Sequence, residues 1–344
     1  MDFLLDPGVT FLNHGSYGAC PAPVFARYQE LQRELERNPV EFLGRRFDEL
    51  IAEARTALAA CVGARPVDLV FVPNATAGLN AVIRSLRLEP GDEVLTTRHE
   101  YGAVTRTWEF VGANLVYAEP DELVDAIGPR TKAVSVSHIT SPTAIFLPVE
   151  QICAAARAAG ALAIIDGAHV PGQLPLHLEA LDADVYAGNC HKWLSAPKGA
   201  GFLWARPEHQ RWIAPLVISW GYGDDRTFAD RHGWQGTRDP AAVLAIPAAI
   251  EAHATFDLER CRRIAASFHD RLPPVEGTPA PQMWASEVAT DEPSELQRRL
   301  FDEHAIEVVV REWEGRSLLR VSIGPYNEEA DVERLIRALG ALTA

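Results

Sequence analysis

The stretch YAGNCHKWLSAPKGAGFLW, residues 186–204, joins two short apolar runs through a polar loop rich in Gly and Pro. The runs around it, DVYAGN (184–189) and GFLWAR (201–206), have the length and composition of buried strands. Between them stand two of the chain's three lysines, Lys192 and Lys198; the third is Lys132. Of 32 basic residues, 29 are therefore arginines. A chain that uses arginine almost everywhere keeps a lysine just past the end of a strand. Lysine can lose its proton and form an imine with a carbonyl, which arginine cannot do.

The strand signature recurs upstream in DLVFVP (68–73), EVLTT (93–97), NLVYAE (114–119), AVSVSHI (133–139) and ALAIID (161–166). Helical segments such as ATAGLNAVIRSLRL (75–88) and VEQICAAARAAG (149–160) separate most of these runs. Residues 45–62 also place Phe47, Leu50, Ile51, Ala54 and Leu58 on one face at helical spacing. Alternation of buried strands and crossover helices predicts an α/β layer with a mostly parallel sheet, running to about residue 240. A long helix is expected over 240–272, kinked at Pro247. A small α+β portion follows, with strands in 282–290, 306–312 and 317–324 and helices in 294–305 and 328–342. The expected division is 1–244 for the N-terminal segment and large domain, and 245–344 for the small domain.

At 344 residues the chain can bury two cores. Its formal net charge of −15 argues against nucleic-acid binding, which needs a basic surface. Five scattered cysteines without a CxxC pair predict neither a disulfide framework nor a metal site. The N-terminus lacks a basic signal-peptide region, and no run approaches 18 apolar residues, so a cytoplasmic protein with no membrane span is expected.

In open α/β sheets, ligands bind beyond the carboxyl ends of the strands. After 68–73 comes NATAG, small residues that open a helix, whose free amides with the Thr76 hydroxyl make an anion site. After 161–166 comes DGAHVPGQ. Asp166 ends a strongly apolar run, where a carboxylate caps a turn or holds a cation; His169 and Gln173 are close by in sequence. After 184–189 comes the His191-Lys192-Trp193 run. A phosphate cradle, an acid, an aromatic and an imine-forming lysine together suit one cofactor, pyridoxal phosphate.

The chain resembles the class V aminotransferase family of pyridoxal-phosphate enzymes, of fold type I (aspartate aminotransferase-like), and within it the isopenicillin N epimerase-like branch. The resemblance rests on FLNHGSYGACP (11–21), NATAGLN (74–80), HEYGA (99–103), HITSPTA (138–144), DGAHVPGQ (166–173), GNCHKWLSAPKGAGFLW (188–204), WQGTRDP (234–240) and LLRVSIGPYN (318–327). The motifs occur in family order and cover nearly the whole chain. The resemblance implies that Lys192 is the Schiff-base lysine and that Asp166 pairs with the pyridinium nitrogen. It places His169 near the ring's phenolic oxygen and Tyr101 where related desulfurases carry a stacking histidine. Ala75 and Thr76 would bind the phosphate with help from His191. Ser141 and Asn189 fall among the cofactor-binding positions, Asn189 where some relatives have Ser. Thr237 would reach a phosphate across a homodimer interface. Arg320 would take the substrate carboxylate, with Asn13 and His14 lining the mouth. Lys198 has a structural place.

The cofactor does not fix the reaction. The branch implies epimerisation at Cα of an amino acid, which needs Lys192 and a second acid among Tyr101, His14 and His169. The alternative is C–S lysis of a cysteine derivative or its sulfoxide. Desulfurase chemistry is disfavoured, because after Cys190 only Cys261 remains, inside a predicted helix. A degenerate binding protein is the reading from another class, and the intact Lys192, Asp166 and Arg320 argue against it. A dinucleotide-binding fold would need G-x-G-x-x-G, which PNATAGLN lacks. The segments 219–236 and beyond Leu272 are short for the branch, which points to a small amino acid as substrate.

Overall fold

The structure is a computed structural model that describes residues 1–342. Twelve strands occur in chain order: β1 (Thr10–Phe11), β2 (Leu69–Val72), β3 (Glu93–Thr96), β4 (Asn114–Tyr117), β5 (Thr131–Ser137), β6 (Leu162–Gly167), β7 (Val185–Asn189), β8 (Gly201–Ala205), β9 (Met283–Glu287), β10 (Ile306–Glu307), β11 (Val309–Trp313) and β12 (Arg316–Ser322). Seven of them form one sheet in the order β2-β8-β7-β6-β5-β3-β4. Only β8 runs against its neighbours. The carboxyl ends of the other six strands therefore share one edge, and β8 begins there. Strands β2, β7 and β8 are buried along their whole length, which explains why they read as unbroken apolar runs.

Helices Ala75–Ser85, Gly102–Phe110 and Val149–Ala159 cross over the sheet. Each buries its apolar stripe; in Val149–Ala159 that stripe is Val149, Ile152, Cys153 and Ala156. That helix stops at Gly160, which takes a left-handed conformation at φ 75°.

The predicted helix over 240–272 is instead three helices, Ala241–Leu244, Ile246–His253 and Leu258–Ser267. Pro247 does not kink a long helix. It occupies the first turn of a new one, where its missing N–H costs nothing. Asp257 caps the third helix by accepting from the Arg260 amide at 2.8 Å. Ile246, Ala249 and Ala252 join the apolar cluster around the large sheet, past the 244/245 division expected from the sequence. The second cluster begins at Cys261 and takes in Leu12, because β1 pairs with β10 in parallel. It packs under a three-stranded antiparallel sheet, β11-β12-β9. Among the described residues, no single helix is long and apolar enough to cross a membrane.

Candidate functional site

A cavity of about 310 Å³ opens at the carboxyl edge of the sheet. Thr76, Tyr101, Ser141, Asp166, His169, Asn189, His191 and Lys192 all line it, as do Ala75, Lys198 and the N-terminal Ser16 and Tyr17. They arrive from the loops after β2, β3, β5, β6 and β7, as the strand-end argument requires.

At one end lies the start of helix Ala75–Ser85. Asn74 caps it by accepting from the Ala77 amide at 2.9 Å. The Ala75 amide, expected at a phosphate, instead donates to Asn189 Oδ1 at 2.8 Å. Asn189 thus ties β7 to this helix. The Thr76 amide and hydroxyl have no partner among the described residues and border the cavity. Two unclaimed donors at the positive end of an eleven-residue helix fit a phosphate. Close approach makes the cradle possible: a Cβ on Gly201 would come within 2.7 Å of the Asn74 Cα. His191 donates from Nδ1 to the Ala200 carbonyl at 3.1 Å, and burial holds its pKa down at about 4. Its Nε2 is then an acceptor, so His191 helps a phosphate only after taking up a proton.

In the middle of the cavity, a hydrogen-bonded chain fixes protonation states. The indole of Trp193 donates to His169 Nδ1 at 3.3 Å. Indole is a donor only, so Nδ1 must carry a lone pair. Burial holds the His169 pKa well below its ordinary value, so the ring is neutral and its proton sits on Nε2. That Nε2 lies 3.1 Å from Lys192 Nζ. The contact is a hydrogen bond only when the lysine offers a lone pair. Burial, then the charge of Arg320, draws the Lys192 pKa down to about 7, so the amine is readily neutral near physiological pH. A neutral amine is the form that attacks a carbonyl.

Asp166 is buried at the end of β6 and accepts from the Ala168 amide at 2.9 Å. Burial raises its pKa; that amide and the charge of Lys192 oppose the rise. It makes no salt bridge among the described residues. A buried carboxylate without a fixed cation fits a protonated pyridine nitrogen.

Arg320 is 2% exposed, on β12. It donates to the Ser141 carbonyl at 2.6 Å, to Ser141 Oγ at 3.2 Å and to Ser16 Oγ at 2.9 Å, while its Nε stays buried with no partner. It stands one side chain behind the cavity wall, with Ser16 and Ser141 in front.

Besides Arg320, three expected positions lie off the wall. Asn13 is buried and holds Ser16, whose hydroxyl donates to its Oδ1 at 2.6 Å. His14 donates from Nε2 to the Lys192 carbonyl at 3.1 Å and accepts the Tyr326 hydroxyl at Nδ1, 3.0 Å. Burial takes its pKa to about 3, so it clamps the lysine loop and is no acid. Ser16 and Tyr17 take the mouth position expected of Asn13 and His14. Thr237 is exposed and does not border the cavity of its own chain. Lys198 donates to the Gly18 carbonyl at 3.0 Å.

Sequence reading overlooked Glu100 and Arg311. Glu100 is buried and accepts the Ser137 hydroxyl at 2.6 Å and the Thr97 hydroxyl at 3.0 Å; burial lifts its pKa to about 7. A charged residue inside RHEYG was the available signal. No cysteine lines the cavity among the described residues. Cys261 is buried in its helix, and burial raises its thiol pKa to about 11, so it is no nucleophile.

The profile of the family described as aminotransferase class-V matches residues 12–275. Isopenicillin N epimerase of Amycolatopsis lactamdurans is 37% identical over 384 positions, covering 98% of this chain and 96% of that protein. That alignment exceeds the chain's 344 residues by 40, so the relative carries at least 40 positions with no counterpart here. The probable chloroplastic L-cysteine desulfhydrase of Arabidopsis thaliana is 29% identical, covering 73% of this chain and 60% of that protein. The fold matches the solved complex of the cystine C–S lyase C-DES with its reaction product cysteine persulfide. The TM-score is 0.84 at 22% identity, covering 97% of each chain.

Proposed function

Because the chain belongs to the class-V aminotransferase family, we propose that it inverts the α-carbon of a small amino acid. It is a pyridoxal 5'-phosphate-dependent enzyme acting on an amino acid. The bound cofactor supplies an electron sink for charge developing at Cα. This chain supplies the rest. The Thr76 amide and hydroxyl would hold the phosphate, and Asp166 would face the ring nitrogen. Lys192 would hold the cofactor's carbonyl and is placed to carry the α-proton; its depressed pKa suits a base near neutral pH. Arg320 takes the α-carboxylate in exchange for the Ser16 and Ser141 hydroxyls.

Inversion needs an acid on the face opposite Lys192. Of the three candidates, His14 and His169 have both ring nitrogens engaged. Tyr101 borders the cavity and its hydroxyl has no partner among the described residues. That free phenol is the observation that carries epimerisation over C–S lysis, which needs one base only. The absence of at least 40 positions present in the epimerase relative supports a smaller substrate than its name implies. The test incubates the enzyme with single enantiomers of small amino acids in D2O. Epimerisation gives the opposite enantiomer with deuterium at Cα and no keto acid. Release of pyruvate and a thiol from S-substituted cysteines, without inversion, establishes the lyase instead.

The working unit in this reading is a homodimer. Leu216, Val217, Ile218 and Trp220 form an exposed apolar run, with Trp220 91% exposed, just ahead of Thr237. A patch of this kind calls for a covering surface, and a second copy would bring Thr237 to its neighbour's phosphate. Light scattering should return twice the chain mass, and Trp220→Asp should return the monomer. A wild-type monomer at micromolar concentration rejects the dimer.

A further inference from the structure

Two arginines share one face of the small sheet, and only one is accounted for. In the β11–β12 ladder, Val309 lies opposite Arg320 and Arg311 lies opposite Leu318. Arg311 and Arg320 are thus diagonal neighbours on the same face, within reach of one another's side chains. Val310 points the other way, into the apolar core with Leu319 and Val321. The face carrying the two arginines lies behind the cavity wall, and neither arginine borders the cavity directly. Ser16 and Ser141 join it to Arg320. Trp313, two residues beyond Arg311, donates to the Arg98 carbonyl on the loop after β3 at 3.3 Å.

Like charges side by side and removed from water repel, and a fold normally sets a carboxylate between them. Here it sets none. Neither guanidinium forms an ion pair among the described residues, and the Arg311 guanidinium makes no hydrogen bond among them. The carboxylate on this face, Glu287, lies opposite Leu318 on the far strand and is engaged by Arg316 at 3.7 Å. Arg311 is close enough for its charge to hold down the pKa values of Lys192, His169 and Arg320, although burial is the larger cause for each. Its own neighbours in charge are Tyr101 and Tyr17, both at the cavity mouth.

Resting on the assignment of Arg320 to the α-carboxylate, we propose that Arg311 binds a second acidic group and that the substrate is an amino acid with a carboxylate on its side chain. A substrate with one carboxylate leaves one of the two guanidiniums unmatched. A dicarboxylate matches both, and a planar fork is the group best suited to a carboxylate. Cysteine and its simple S-alkyl derivatives carry a single carboxylate and would leave Arg311 unmatched.

The test uses glutarate and pentanoate, five-carbon acids with two and one carboxylates and no amine to react. Holoenzyme is first checked for its visible cofactor band, so that failure of the cofactor reading is seen separately. Calorimetry should show glutarate binding at least about tenfold tighter than pentanoate to wild type. Arg311→Gln should bring the two affinities together by weakening glutarate alone. Arg320→Gln should weaken both. Equal binding of the two acids to wild type overturns the proposal, as does an equal loss of both in Arg311→Gln or an unchanged ratio in that variant. Retention of the cofactor band in each variant shows that the site has folded.

Discussion

Lys192→Ala should lower turnover by at least about 10³-fold and end covalent capture of pyridoxal phosphate by borohydride, while the variant still folds and binds the cofactor weakly. The size of the effect follows from the two tasks that meet on one atom. In the proposed reading Lys192 Nζ would both make the covalent link and carry the α-proton, and alanine removes both functions. Folding should survive, because the backbone at this position is held from outside the side chain. Its carbonyl accepts from His14 Nε2, and its loop is fixed by the Cys190 amide bonding to the Ala200 carbonyl at 3.0 Å. The check is the visible band before and after borohydride, with mass spectrometry of the trapped peptide. Trapping that persists in the variant would move the link to Lys198, which also borders the cavity.

Trp193→Phe should leave the cavity walls in place and raise the pKa of Lys192 by about one to two units from its value of about 7. Phenylalanine keeps a flat aromatic ring but loses the one N–H that forces His169 Nδ1 to be an acceptor. The His169 proton is then free to move to Nδ1, and the Nε2 lone pair turns toward Lys192. A lone pair 3.1 Å from the nitrogen favours the ammonium form. The sign is fixed: a higher pKa means less free amine at a given pH. Below about pH 6, capture of pyridoxal phosphate by the apoenzyme should slow about 10- to 100-fold, because the neutral fraction falls tenfold per unit. Above pH 10 the two proteins should react alike. Matching profiles across the whole range would mean that the indole N–H does not set the state of the lysine, and slowing at every pH would point to a damaged site.

Most of the parallel strands were legible because they are short apolar runs buried on both faces, such as Val70-Phe71-Val72 and Ala163-Ile164-Ile165, while the edge strand β4 is partly exposed. The direction of β8 was not legible. Periodicity says that a strand is buried and nothing about which way it runs, and the eleven residues from Cys190 to Ala200 allowed either course. The chemical groups of the site were legible from residue type at strand ends: Lys192, Asp166, His169 and Thr76 all border one cavity. Hydrogen-bond destinations were not. Asn189 takes the Ala75 amide, and His14 faces the Lys192 carbonyl across 178 positions of sequence. Arg311 escaped notice because alternation along VVREW becomes a face only once β12 is laid beside it.

The segment from Asn13 to Gly18 is held from two sides. Toward the large domain, His14 grips the Lys192 carbonyl, and the Gly18 carbonyl takes the Lys198 ammonium. Gly18 sits at φ 68°, where any Cβ would lie 2.0 Å from the His191 carbonyl oxygen. Toward the small domain, Ser16 takes Arg320, and Tyr326 donates to His14. A substrate carboxylate that claims Arg320 must therefore undo one of these small-domain stitches while the lysine side stays sewn. In that reading, occupancy at one end of the site would be felt as slack at the seam between the two sheets, through a stretch with no part in the bond-making chemistry.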